Sequence, residues 1–436
     1  MSLLRKGMLV SGGQVFSIAL NMTAGILFAR TLGPDGMGQF ELWRSTGSLA
    51  AVFMTLGLGQ ANIYFLNNLK VPPQILTTNT FKIFVLLGSV LAGGLMTAIF
   101  LAPGYFGAVP PVSTVLFSLG IGVLVGVALL RPILTARLEA LRMVMVDTVS
   151  PLTLLICGAG LALAGCLVPG SGIAVLALGN ISAVGLLVFY LRRDIKLRRP
   201  MDWPLFGRVL VHGVKLAASN ILYVFSSTIT VMLLRYLTPD RFDDVGLYTR
   251  AVAVCGLVTL VPMAIGPLLY AKWSGLQGPQ RIRQAEMALR LNVAYGAAAT
   301  VGVLFLGGYI IWLLYGAKFI PAEVALQFLA PALFFIPIFG VCNNMLISDG
   351  RLMTTTWILA GTVAIVAAVT YLTVPALGIR GAALGALSGN AFTAVVSLAV
   401  CFKVFGMNPA RCFVLRRSDV AYVVESLRGP MRRRAD

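Results

Sequence analysis

Charge is scarce in this chain of 436 residues, and acidic residues are the scarcest of all. Charged residues make up 11% of the sequence, with 15 Asp and Glu against 34 Lys and Arg, whereas a soluble domain carries about 25%. Hydrophobic residues make up 58%, and the mean hydropathy is +0.91. This composition excludes an ordinary soluble globular protein and is typical of a chain that crosses a membrane many times.

The residue types that build most catalytic and metal sites are also rare. A single histidine, His212, is too few for a His-based zinc site or a Ser-His-Asp triad. The six cysteines form no CxxC pair and lie mostly within or beside apolar segments, where they act as small apolar residues. No G-x-x-x-x-G-K-[ST] phosphate loop occurs. We therefore expect no metal, no cofactor and no enzyme activity.

Apolar segments long enough to cross a bilayer recur along the whole chain. A membrane-spanning helix needs about 20 mostly apolar residues, and we expect the first such segment to be a retained anchor. The sequence predicts an all-α integral membrane protein with twelve transmembrane helices, at approximately 9–32, 38–66, 78–101, 112–135, 149–168, 172–191, 211–237, 246–270, 289–315, 322–347, 355–374 and 381–404.

A repeated motif divides these segments into two sets of six. The text RTLGPD at 30–35 recurs as RYLTPD at 235–240, and DGMGQF at 35–40 recurs as DDVGLY at 243–248. Pro34 and Pro239 break the helix before them, so each copy is predicted to be a turn between two spans.

Because six is an even number, both halves enter the membrane in the same direction, which predicts two parallel-repeat six-helix bundles with a substrate path between them. The predicted organisation is an N-terminal bundle at 1–191, a basic linker at 192–208, a C-terminal bundle at 209–404 and a basic tail at 405–436.

Basic residues concentrate on alternate connections between the predicted spans. The connections on one side hold most of them, including the whole linker, and the opposite connections hold only Arg30, Arg235, Arg241, Lys318 and Arg380. This asymmetry follows the positive-inside rule and predicts that both termini are cytoplasmic. It also argues against a nucleic-acid partner, and the tail from Arg428 to Arg434 is interpreted as a contact with anionic membrane lipids.

Polar side chains mark one face of the first helix in each half. Gln14 and Asn21 lie seven residues apart in the first span, and Ser219 and Ser226 are their equivalents in the seventh. Matching stripes are expected if the two helices face each other across a wet cavity. Hydrogen bonding in a dry helix interface is the alternative explanation.

Basic residues inside the spans are more informative, because each costs at least about 2.5 kcal/mol and normally faces a cavity or a partner. Arg44 and Arg250 lie in the outer part of corresponding spans, and Lys215 lies toward the inner side. Glu41 is the one clear acid among the predicted spans, and a local pair with it is the alternative role for Arg44. The surplus of positive charge favours an anionic substrate.

Several of these features together resemble a known family. The text ARTLGPDGMGQF after the first span, the Gly-Leu-Tyr-Thr-Arg opening of the eighth, the Gly-Arg turn after the tenth and the order of twelve spans are similar to the polysaccharide (O-antigen type) flippases of the multidrug/oligosaccharidyl-lipid/polysaccharide exporter superfamily. The resemblance implies translocation of an undecaprenyl-diphosphate-linked oligosaccharide across the bacterial inner membrane. A polysaccharide polymerase and glycosyltransferases are then expected as functional partners. The predicted substrate-binding residues are Arg44, Arg250, Lys215, Gln14, Asn21, Ser219 and Ser226.

Three alternatives belong to other classes. A cation-coupled drug exporter of the same superfamily is expected to carry acidic residues in the first or seventh span, and this sequence has none there. A flippase for the lipid-linked peptidoglycan precursor is expected to have two further C-terminal spans. An integral polymerase or glycosyltransferase needs a large outer loop or a cluster of carboxylates, and the sequence predicts neither.

Overall fold

Helices make up nearly all of the part of the chain that the structure describes. The computed structural model describes residues 3–107, 110–276, 278–416 and 419, and the described part contains no β-strand. Its helices are α1 (Leu3–Thr55), α2 (Leu58–Asn67), α3 (Pro73–Leu101), α4 (Pro103–Phe106), α5 (Pro111–Ala136), α6 (Ala140–Leu163), α7 (Pro169–Leu191), α8 (Trp203–Leu237), α9 (Phe242–Ser274), α10 (Pro279–Tyr315), α11 (Ala322–Leu329), α12 (Ala332–Ser348), α13 (Leu352–Leu377) and α14 (Ile379–Phe405), with short 3₁₀ turns at Ala317–Phe319 and Pro409–Arg411.

The described helices account for twelve membrane spans. Ten are long and apolar enough to cross a membrane, and α11 with α12, bent by 46° at their junction, forms one more. The longest helix, α1, contains two spans because Gly33 has a φ of 70° and Pro34 follows it, which interrupts the helix. The predicted fold class is therefore confirmed.

The chain reverses direction at Gly33, so that this predicted turn separates two antiparallel segments of α1. Contacts whose residue numbers rise together join the first segment to α6 (Ser17 with Asp147, Phe28 with Gly158) and the second to α5 (Trp43 with Phe117, Gly47 with Ile121). Both segments thus run parallel to their neighbours. Because α5 and α6 are consecutive helices joined by a short turn at 137–139, they point in opposite directions, and so do the two segments of α1.

The two halves repeat the same packing. In the first half α1 packs on α6, α5 on α7, and α6 on α7; in the second half α8 packs on α13, α12 on α14, and α13 on α14. The segment between the halves is 192–202, because α8 begins at Trp203, where Asp202 caps the helix by accepting a hydrogen bond from Leu205 N at 2.9 Å. We call the end of the bundle near this segment the linker end, and the end near Gly33 the hairpin end.

The apolar cores differ between these two ends. One core joins both halves and includes Phe28 and Trp43 from the first half and Tyr248 and Phe319 from the second. Two separate cores fill the linker ends of the bundles, one around Leu130, Met143 and Leu187 and the other around Trp273, Met345 and Cys401. The halves are therefore packed together toward the hairpin end, and near the linker end α2 of the first half also packs on the start of α8.

The polar turn predicted after the tenth span lies at the linker end of the second half. Asp349 there accepts hydrogen bonds from Arg281 Nη2 at 2.7 Å and from Arg351 Nε at 2.9 Å. Burial acts to raise the pKa of Asp349, but the two guanidinium groups outweigh it and hold that pKa below its ordinary value. The predicted tail contact from Arg428 to Arg434 lies outside the described residues.

Candidate functional site

Two of the predicted cations, Arg44 and Arg250, meet on one carboxylate where the halves cross. Arg44 Nε donates to Glu41 Oε2 at 2.8 Å, and Arg250 Nη2 donates to Glu41 Oε1. The side chains of Glu41 and Arg250 are 3% and 6% exposed, whereas that of Arg44 is 48% exposed. The cluster therefore has one positive charge in excess, and Arg44 is the member that a ligand can reach.

Arg250 is held tightly by both halves. An added Cβ at Gly25, in the first segment of α1, would lie 3.2 Å from Arg250 Nη1, and the ring of Tyr315 on α10 lies 5.6 Å from the guanidinium. Arg250 Nε is buried and has no hydrogen-bond partner among the described residues. Arg250 thus contacts both segments of α1 from α9 and connects the two halves.

Beside this cluster, Gly38 and Gly246 bring the second segment of α1 and the start of α9 into backbone contact. A Cβ added to Gly38 would overlap Phe242 O, and a Cβ added to Gly246 would overlap Pro34 O. The two glycines are equivalent positions of the sequence repeat, so the contact is two-fold symmetric. No side chain fits on either residue in this arrangement.

Two more arginines of the repeat, Arg30 and Arg235, reach across the hairpin end in a reciprocal way. Arg30 donates to carbonyls at the end of α10, and Arg235 donates to carbonyls of α4, so each half holds the other. The hydrogen bonds are Arg30 Nε to Leu314 O (2.8 Å), Arg30 Nη2 to Leu313 O (2.6 Å), Arg235 Nε to Tyr105 O (2.8 Å) and Arg235 Nη2 to Gly104 O (2.7 Å). Sequence reasoning assigned these arginines to turns and missed the clamps.

We expect Arg235→Ala to destabilise the protein more than Arg30→Ala. Arg235 is 2% exposed and its hydrogen bonds to Tyr105 O and Gly104 O are partly buried, whereas Arg30 and its bonds are exposed, so removal of Arg235 leaves partly buried acceptors without a donor. Each such loss costs roughly 1–3 kcal/mol. Thermal unfolding in detergent measures the difference, with Arg241→Ala, an exposed arginine of the same turn, as the control. Equal melting temperatures for all three variants would contradict this interpretation.

Lys215, the third predicted cation, lies apart from the Arg44 cluster. It lines a pocket of about 370 Å³ between α2 and α8, together with Arg208 and His212, and the His212 ring stacks on Tyr64 with centroids 4.3 Å apart. Three cations were predicted to bind one anion during transport. The structure brings two of them together at one carboxylate and leaves the third in a separate basic pocket.

Two of the four residues in the predicted polar stripes form side-chain hydrogen bonds, and both bonds stay within the residue's own helix. Gln14 and Asn21 are exposed on α1, and Asn21 Nδ2 donates to the carbonyl of its own helix at 3.1 Å. Ser226 Oγ donates to Tyr223 O at 2.8 Å. Ser219 lines a cavity that lies within the second half.

That cavity, of about 620 Å³, lies between α8, α9, α10, α12 and α13. Four asparagines line it, namely Asn220, Asn292, Asn343 and Asn344, and its described lining contains no charged side chain. Elsewhere in the described part, no three His, Cys, Asp or Glu side chains come together as metal ligands would. The cavity is thus a neutral, amide-rich site, which sequence reasoning missed because the four amides share no periodic pattern.

Comparisons with known proteins identify the fold. No protein-family profile matches the sequence, and no curated protein is significantly similar to it. The structure is similar to an inward-facing multidrug resistance MATE family transporter of the MOP superfamily (TM-score 0.72, 15% identity, 92% of this chain and 98% of that chain) and to the lipid II flippase MurJ in an inward closed conformation (TM-score 0.70, 16% identity, 97% and 96%).

It is also similar to a MOP superfamily transporter from Pyrococcus furiosus, whose binding pocket of reverse polarity is reported to suggest a different function (TM-score 0.67, 14% identity, 92% and 95%). All three likenesses extend over nearly the whole of both chains. The chain therefore has the fold of the membrane transporters of the MOP superfamily.

Proposed function

We propose that this protein is a flippase that moves an undecaprenyl-diphosphate-linked oligosaccharide from the inner to the outer leaflet of a bacterial cytoplasmic membrane. The transported glycan serves the synthesis of O-antigen, capsule or exopolysaccharide. The observation that carries the proposal is Arg44, a half-exposed guanidinium in a cluster with excess positive charge at the junction of the halves. Such a group is costly inside a membrane unless an anion compensates it.

A diphosphate suits this cluster for two reasons. It brings negative charge and several acceptor oxygens, and a guanidinium binds such a group with two parallel hydrogen bonds. Arg44 also shares Glu41 with Arg250, so an anion that draws Arg44 away leaves Glu41 with one partner fewer. Substrate binding is thereby linked to the contact that joins the halves. The prenyl tail stays in the bilayer throughout.

A cationic substrate fits less well. Cation binding needs accessible carboxylates, but Glu41 is buried and already accepts hydrogen bonds from two arginines. The first and seventh spans carry no acidic residue. The reverse polarity of the binding pocket in the Pyrococcus furiosus protein, reported to suggest a different function, supports the idea that this fold serves more than one function.

The peptidoglycan precursor remains the second candidate substrate. The likeness to the lipid II flippase covers 96% of that chain. Further C-terminal helices, which were expected to set such a flippase apart, therefore do not distinguish it from this protein. The choice between the two substrates depends on the glycan, and the transport assay below compares them directly.

Transport by purified protein in liposomes tests the proposal. We expect an undecaprenyl-diphosphate-linked repeat oligosaccharide to move from the inner to the outer leaflet and lipid II to move more slowly. The cationic dye ethidium should not be exported. Empty liposomes and liposomes with denatured protein are the controls. Export of ethidium without movement of either lipid would overturn the proposal in favour of a drug exporter.

The orientation of the linker is a separate prediction. Because the linker is the most basic connection, residue 198 is expected to face the cytoplasm. An Arg198→Cys variant without the six native cysteines should react with an impermeant maleimide only after the cells are opened. An Ala317→Cys variant, at the hairpin end, should react in intact cells. The opposite pattern would reverse the topology.

A further inference from the structure

Two residues that line the neutral cavity in the second half carry buried polar atoms that the described protein leaves unsatisfied. Thr355 is 2% exposed, and its Oγ1 has no hydrogen-bond partner among the described residues. Asn343 Oδ1 is buried and equally without a partner. Both residues line the cavity, from α13 and α12 respectively. Most buried polar groups are paired in folded proteins, so two orphaned atoms on residues that line one cavity point to a ligand that pairs with them.

The chemistry of the lining restricts what that ligand is. Amides and hydroxyls both donate and accept hydrogen bonds, and Asn220, Asn343 and Asn344 present amides from two different helices. The described lining offers no charge to a diphosphate or to a cation. Tyr223 and Phe339 add aromatic surface against which the C–H faces of a ring can pack. An uncharged, hydroxyl-rich ring matches this combination.

The size and location of the cavity agree with this chemistry. Its volume of about 620 Å³ falls within the roughly 300–1,000 Å³ of small-molecule sites. It lies in the second half, and its lining is distinct from the Arg44 cluster. Recognition of a charged headgroup and of a neutral glycan is thereby divided between two places in the fold.

We propose that this cavity binds an uncharged sugar of the lipid-linked oligosaccharide, with Asn343 and Thr355 as hydrogen-bonding residues. The proposal rests on the proposed function, because it assigns one part of that substrate to a second subsite. Asn343 Oδ1 accepts a hydrogen bond from a sugar hydroxyl, and the Thr355 hydroxyl donates or accepts a second one. The site selects for the glycan and leaves the affinity for the diphosphate lipid to Arg44.

Binding of two radiolabelled lipids to the full-length protein in detergent tests this assignment. The probes are undecaprenyl diphosphate and undecaprenyl-diphosphate-N-acetylglucosamine, which differ by one neutral sugar. The wild-type protein should bind the glycosylated lipid more tightly. In Asn343→Ala and Thr355→Val, this preference should fall by about fivefold, as expected for one lost hydrogen bond, while the affinity for undecaprenyl diphosphate stays unchanged.

Folding is controlled by two measurements. Thr355→Val replaces an unpaired buried hydroxyl by a methyl group of similar shape, so its melting temperature without lipid should equal or exceed that of the wild type. Asn390→Ala removes a half-buried asparagine of α14 whose amide bonds within its own helix and which does not line the cavity. It should leave the preference for the glycosylated lipid intact.

The outcomes separate this inference from the proposed function. If wild-type protein prefers the glycosylated lipid and both cavity variants keep the full preference, the cavity is not the sugar site and the flippase proposal stands. The same conclusion follows if the wild type binds both lipids equally. If the wild type binds neither lipid, the proposed function fails and the sugar subsite fails with it.

Discussion

Replacement of Arg44 by alanine is expected to abolish translocation of the lipid-linked oligosaccharide without loss of folded protein. The side chain is 48% exposed, so its removal uncovers little buried surface, and Glu41 keeps Arg250 as its partner. The diphosphate loses its accessible guanidinium. Transport in liposomes should fall to background, while the melting temperature should stay close to that of the wild type.

A matched control distinguishes this effect from the loss of any helical ion pair. Arg142 is 47% exposed and bonds Glu139 three residues earlier, which is the same spacing as Arg44 and Glu41. Arg142→Ala should transport normally. Arg44→Lys should recover part of the activity, since it keeps the charge but loses the two-pronged geometry, and Arg44→Glu should be worse than alanine. Normal transport by Arg44→Ala would show that this arginine is structural.

Arg250 is expected to behave differently from Arg44, although both lie in the outer part of corresponding spans. Both were predicted to be substrate-binding residues. The Arg250 side chain is 6% exposed and ion-paired, and breaking a buried pair costs roughly 3–5 kcal/mol. Arg250→Ala should therefore reduce the amount of folded protein as well as transport. The two arginines are expected to differ because Arg250 is buried and Arg44 is half-exposed, which the sequence alone does not show.

The parts of the structure that follow from local chemistry were predictable from the sequence. Long apolar segments predicted the spans, and Gly33 with Pro34 predicted the reversal within α1, because these residues act on the backbone next to them. Helix α8 extends further toward the linker than the predicted span, which begins at 211, because the cap is at Asp202. Helix caps are set by single side chains that composition does not reveal.

Contacts between distant segments were not predictable in the same way. Glu41 and Arg250 are 209 residues apart in sequence, and their pairing depends on the angle at which α1 crosses α9. The repeat indicated that Arg44 and Arg250 occupy similar depths, but it gave no sign that one carboxylate serves both. The reciprocal arginine clamps had one usable signal, because Arg30 and Arg235 are equivalent positions among few basic residues on that side.

Replacement of Gly246 by alanine is expected to prevent closure of the hairpin end and thereby to abolish transport. The added Cβ would overlap Pro34 O, which belongs to backbone and cannot rotate away as a side chain could. Movement of substrate between leaflets requires the halves to separate and rejoin at each end in turn. A protein that cannot rejoin at the hairpin end should remain open there, with its helices folded and inserted.

Gly256→Ala is the matched control, because it lies on the same helix and an added Cβ there meets nothing within 4 Å. It should transport like the wild type. Accessibility of a Val245→Cys reporter, at a position that is fully buried in this structure, to an impermeant maleimide should rise in Gly246→Ala and stay unchanged in Gly256→Ala. Gly38→Ala, the equivalent change in the other half, should reproduce the open phenotype because the contact is symmetric. If Gly246→Ala kept both full transport and a protected reporter, close contact of the two glycines would have no part in the transport cycle.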